Sequence, residues 1–118
     1  MRYRLLKSKI HRATVTETQM DYPGSITIDE DLMDAVGIVV YEQVLVANLA
    51  NGTRHETYVV KGERGSSIIR VMGAAAHLVN TGDKIIIMAF GDFDESEING
   101  FKAKIAVADE NNKVAKFV

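Results

Sequence analysis

A serine directly after a glycine, Gly24-Ser25, is the first place where this chain could do chemistry. The pair closes the run Tyr22-Pro23-Gly24-Ser25. Pro presets φ for the second position of a turn and Gly accepts positive φ at the third, so the run predicts a type II turn delivering Ser25 into a strand. A Ser hydroxyl in that position can attack the preceding carbonyl, because Gly adds no side chain to obstruct the tetrahedral intermediate. A plain loop turn is the alternative for so short a motif.

Three other groups could bind or move charge. Arg54 could clamp a carboxylate with two hydrogen bonds, and Tyr58 could give or take a proton. Strand alternation puts Arg54 and Tyr58 on one face and Thr57 on the other, so a common site needs a bulge or a neighbouring subunit. Gly73-Ala74-Ala75-Ala76-His77 opens a helix directly after a strand, where small side chains and free N–H groups let an anion approach the backbone. Tight packing explains the same residues. Lys9 and His11 share a strand face, most simply as an exposed basic pair. His11, His55 and His77 lack metal-ligand spacing, and with no Cys the sequence predicts no transition-metal site.

The elements that must position these groups are mostly short strands. Ser8 to Glu17, Ser25 to Ile28, Glu42 to Leu49, His55 to Val60, Ser67 to Met72, Lys84 to Phe90 and Lys104 to Ala108 are β-rich, and Asn51-Gly52 marks a hairpin. Asp29 to Val36 reads as a helix with Asp29 as N-cap and Gly37 after its end. A second helix is expected from Gly73 to about Asn80, and a third, weak one from Asp94 to Asn99. The order strand, helix, Gly, strand occurs twice, from Ser25 and again from Ser67. That repetition predicts a pseudo-twofold, all-β barrel with short helices.

Composition narrows the function. The 118 residues carry a net charge of −2, which argues against the basic face of a nucleic-acid binder. No apolar run is long enough for a membrane helix, and the N-terminus lacks the features of a signal peptide. The absence of Cys excludes disulfides, thiolate catalysis and Cys-held zinc, and fits a cytoplasmic protein. The length fits a single domain, residues 1–118.

Taken in order, Lys9-Ile10-His11-Arg12-Ala13-Thr14-Val15-Thr16, Tyr22-x-Gly24-Ser25-x-Thr27-Ile28-Asp29-x-Asp31-Leu32, Asn51-Gly52, Thr57-Tyr58, Glu63-Arg64-Gly65-Ser66, Gly73-Ala74-Ala75-Ala76 and Gly82-Asp83 resemble the pyruvoyl-dependent aspartate alpha-decarboxylase family. The resemblance covers nearly the whole chain. It implies a double-psi β-barrel, a cytoplasmic homotetramer with sites between subunits, and β-alanine production for pantothenate and coenzyme A. It implies a zymogen that cuts itself at Gly24–Ser25 into residues 1–24 and 25–118, with or without a maturation helper. Ser25 becomes a pyruvoyl group that forms a Schiff base with L-aspartate, so that neither metal nor pyridoxal phosphate is needed. Tyr58 is then the proton donor, while Lys9, Arg54, Thr57, Gly73, Ala74 and Ala75 bind substrate. No nucleic acid or membrane partner is implied. Met72 departs from the family, which mostly carries Asn before Gly-Ala-Ala-Ala, and Pro23 falls where the family varies. An unprocessed, non-catalytic barrel that binds a ligand or protein is the alternative.

Overall fold

The computed structural model describes residues 1–118. Its elements run β1 (Arg2–Thr14), β2 (Glu17–Gln19), β3 (Ser25–Asp29), α1 (Glu30–Val36), β4 (Gln43–Asn48), β5 (Arg54–Gly62), β6 (Ile69–Met72), a 3₁₀ turn (Ala74–Leu78), β7 (Lys84–Asp94), α2 (Glu95–Ile98), β8 (Lys104–Ala108) and β9 (Val114–Phe117). The strands lie side by side in the order β2-β6-β3-β5-β4-β7-β1-β8-β9. Because β1 runs on into β2 through only Val15 and Thr16, the two ends of the run from β2 to β1 are one strand path. That path closes the sheet into a barrel. Val15 donates to the Asp83 carbonyl and Thr16 to that of Ile69, so the crossing itself is hydrogen-bonded.

The expected pseudo-twofold is visible in the pairing. Strand β3 lies antiparallel to its counterpart β6, and β4 antiparallel to its counterpart β7. Strand β5 is antiparallel to β4 at its start and parallel to β3 at its end. The β1–β2 path does the same with β7 and then β6. Apolar residues alternate inward along these strands, and Ile10, Ile26, Ile28, Val44, Val46, Val59, Ile69, Ile85 and Ile87 fill the barrel.

Helix α1 follows its sequence signals. Asp29 caps it by accepting from Asp31 N–H, and Gly37 ends it in the left-handed region at φ 76°. The same buried carboxylate accepts from Gly65 and Ser67 N–H, tying the end of β3 to the loop before β6. Burial pushes the Asp29 pKa up, but the N–H donors of Asp31, Ser67 and Gly65, with Lys113 nearby, outweigh it and hold the carboxyl ionised below its ordinary range. Strand β3, which begins at Ser25, is therefore pinned at its far end.

Three expectations need correction. The second helix is only a short 3₁₀ turn over Ala74–Leu78, which has no side-chain cap and is ended by Val79, already extended. Strand β1 starts six residues earlier than predicted and bends at two bulges, one beside Arg12 at φ 67°. Strand β9 was not foreseen. Its exposed residues alternate too little to show a period, and only pairing with β8 orders them.

Candidate active site

Ser25 is the first residue of β3 and pairs with Met72, the last of β6. It is buried, and its hydroxyl makes no hydrogen bond within the chain. On its other side β3 runs parallel to β5, with Ile26 beside Val59. One and two steps back in that register set Ser25 beside Tyr58 and Gly24 beside Thr57. There β3 has ended, so β5 loses its neighbour on that edge and a cleft opens.

The cleft holds about 550 Å³ and is walled by Gly24, His55, Glu56, Thr57, Tyr58, Met72, Ala74, Ala75 and Leu78. Along β5, Arg54, Glu56 and Tyr58 are exposed while His55 and Thr57 are half-buried, as alternation requires. Thr57 and Tyr58 nevertheless reach one cleft, because an unpaired strand edge is open from both of its faces. Neither a bulge nor a second subunit is needed to bring these two together. Tyr58 stands at the rim against Tyr41, with ring centroids 6.2 Å apart.

The turn at Gly24 differs from expectation. Gly24 is not at positive φ; Gly73 is, at φ 84° and ψ −153°. Gly73 is itself buried and off the cleft wall, whereas Ala74 and Ala75 line it. Lys9 and Arg54 do not reach the cleft within one chain. Lys9 lies in a row across the sheet through Met88 and Leu45 to Glu56, about 14 Å away at three strand spacings. Arg54 is exposed, and neither cation has an ion-pair partner in its own chain.

A family model described as aspartate decarboxylase matches residues 1–115. The chain belongs to the aspartate decarboxylase family. It is 58% identical over 110 residues to aspartate 1-decarboxylase of Acetivibrio thermocellus, covering 93% of this chain and 87% of that one. It is 57% identical to that of Caldicellulosiruptor saccharolyticus (95% and 88% covered) and 54% identical to that of Bacillus cereus (97% and 90%). A computationally designed double-psi β-barrel superposes with a TM-score of 0.50 at 18% identity, covering 74% of this chain and 99% of that one. The fold is thus the double-psi barrel that the resemblance implied.

Two further cleft residues, Met72 and His55, bear on its chemistry. Met72 is buried but stands outside the main apolar cluster, with its sulfur 4.0 Å from Thr27 Oγ1. A thioether is at best a weak acceptor, whereas an Asn amide could both donate into the cleft and bond Thr27. Met72→Asn is expected to speed self-cleavage, decarboxylation or both, by up to about 10²-fold, the scale of one preorganised donor. Rates unchanged beside a lowered melting midpoint would make Met72 a packing residue only.

His55 was missed as a cleft residue, although its i, i+2 relation to Thr57 was the signal that could have found it. Its Nε2 is buried without a partner, and burial alone lowers its pKa below 6.5. The His11 pKa is also lowered, by burial first and then by Lys9 and Arg12. Both folded pKa values lie below the unfolded one, so stability is full above about pH 6.5 and falls as pH drops through that range. Melting of a Ser25→Ala chain should therefore fall between pH 7.5 and 5, and adding His55→Leu should flatten that fall. An unchanged slope would remove His55 as a cause.

Proposed function

We propose that this chain decarboxylates L-aspartate to β-alanine after cutting itself between Gly24 and Ser25. The observation that carries the reading is the meeting of Gly24 with Thr57 and Tyr58 in one cleft, with Ser25 set beside Tyr58 by the β3–β5 register, within a family of aspartate decarboxylases. In the cut, Ser25 Oγ bonds to the Gly24 carbonyl carbon as the carbon–nitrogen bond breaks, leaving an ester and a free amine. Loss of the Ser25 α-proton expels the Gly24 carboxylate and leaves dehydroalanine. Water then replaces the amine as a ketone, and ammonia departs.

A pyruvoyl group at position 25 suits this site. Ser25 is buried as a residue, its hydroxyl oxygen is engaged by no other group of the chain and is not sealed in, and the β3 ladder from Ile26 onward holds the new terminus in place. When formed, the group supplies a ketone that binds the substrate amine and takes up the electron pair released with carbon dioxide. The chain's own residues do the rest. Ala74, Ala75, Met72 and Leu78 give the cleft an apolar wall, which raises the cost of keeping a carboxylate there and favours its loss as carbon dioxide. Thr57 orients the substrate, and Tyr58 returns a proton to the α-carbon.

The single cleft has no lysine or arginine, while aspartate has two carboxylates. Lys9 and Arg54, unpaired in their own chain, are best used from a neighbouring copy, which supports a homotetramer with sites between subunits. By the same resemblance the enzyme works in the cytoplasm and feeds pantothenate synthesis, and a maturation helper is one route to a faster cut. Denaturing mass measurement tests the reading. Two chains are expected, residues 1–24 and residues 25–118, the second lighter by one ammonia than its serine form. A preparation that stays whole after warm incubation, with or without cell extract, and releases no carbon dioxide from aspartate would leave a non-catalytic barrel.

A further inference from the structure

We propose that Gly73 is the positioning residue of self-cleavage, the backbone surface over which the Gly24–Ser25 junction is bent. This rests on the self-cleavage reading above and gives Gly73 a task in the precursor rather than in substrate binding. Met72 is paired on both sides, with Gln19 of β2 and with Ser25 of β3. The five residues Met20 to Gly24 must therefore leave one flank of β6 and return to the other, across about 10 Å at two strand spacings. They do so around the end of β6, where Gly73 stands.

The fit leaves no room for a side chain. Gly73 N–H donates to Gln19 O at 2.8 Å, fixing it to the start of the loop. A Cβ on Gly73 would lie 2.6 Å from Gly24 Cα, 2.9 Å from Gly24 N and 3.0 Å from Tyr22 O. All three are backbone atoms, so no side-chain rotation relieves the clash. The conformation, φ 84° and ψ −153°, is also one that only glycine adopts readily. Gly24 itself is under less demand, since a Cβ there would meet only Met72 O, at 3.7 Å. The strictest need for glycine at the junction thus lies 49 residues away from it in sequence.

Any side chain at 73 displaces Gly24, and with it the carbonyl that Ser25 Oγ attacks, and misplacement of about 1 Å can cost about 10² in rate. The test compares Gly73→Ala with Gly82→Ala. Gly82 has φ 97° and nothing within 4 Å of its would-be Cβ, so its substitution carries backbone strain without touching the junction. Cleavage is followed by mass well below both melting midpoints. Gly73→Ala is expected to cut at least about 100-fold more slowly than wild type, and Gly82→Ala at the wild-type rate despite a lowered midpoint. Hydroxylamine, which intercepts esters, should not release fragments from Gly73→Ala, because the block precedes ester formation. Near-normal cutting by Gly73→Ala, equal slowing by Gly82→Ala, or hydroxylamine release would each overturn the proposal. A wild type that never cuts would instead remove the self-cleavage reading. Should circular dichroism show Gly73→Ala unfolded, one glycine inserted between Asp21 and Tyr22 slackens the loop and leaves both ladders and Gly73 intact. That variant should cut at least about 10-fold more slowly, and a wild-type rate would again overturn the proposal.

Discussion

Ser25→Ala is expected to stay a single chain and to release no carbon dioxide from aspartate. Alanine lacks the oxygen that attacks Gly24, so neither the cut nor the ketone can form, and the whole enzymatic acceleration, at least about 10⁶-fold, is lost. The fold should not pay for it. The Ser25 hydroxyl has no hydrogen bond to lose, and its backbone ladder to Met72 survives the change. Removing a hydroxyl that no other group of the chain engages leaves stability close to wild type. Mass and melting measured on the same sample decide the matter. Two fragments from Ser25→Ala would mean that a contaminating protease, not Ser25, makes the cut.

Much of this site was legible because its signals are local. Asp29 and Gly37 bound α1 as cap and left-handed stop, and period-two alternation put Arg54 and Tyr58 on one face and Thr57 on the other. What alternation could not show is that β3 begins only at Ser25, which leaves the β5 edge open before it and lets both faces of β5 reach one cleft. The requirement for glycine was assigned to the wrong partner for a related reason. Pro23-Gly24 has turn composition, but the demand for positive φ comes from Gly73 and Gly24 approaching each other, and no local window contains both. His55 escaped because the cleft it shares with Ala74, Ala75 and Leu78 is assembled from segments distant in sequence. Alternation gave Lys9 and Arg54 a strand face, but no local pattern says which cleft, in which copy, that face meets.

Tyr58→Phe separates the cut from the chemistry that follows it. The Tyr58 hydroxyl makes no hydrogen bond in its own chain, and its ring packs against Tyr41, a contact phenylalanine keeps. Stability and self-cleavage should therefore stay near wild type, since neither the Ser25 oxygen nor the Gly73 contact is altered. Decarboxylation should fall by about 10²- to 10⁴-fold, the usual worth of a positioned proton donor. The fall belongs in kcat with KM little changed, because the phenol acts on the α-carbon after carbon dioxide has left and holds neither carboxylate. Aspartate turnover per cleaved chain, measured across a range of aspartate concentrations, makes the separation. Normal kcat in fully cleaved Tyr58→Phe would move the proton to another donor, and a raised KM with normal kcat would make Tyr58 a binding group at the rim. Uncleaved Tyr58→Phe would place the phenol in the first reaction instead, beside the Ser25 that the β3–β5 register sets next to it.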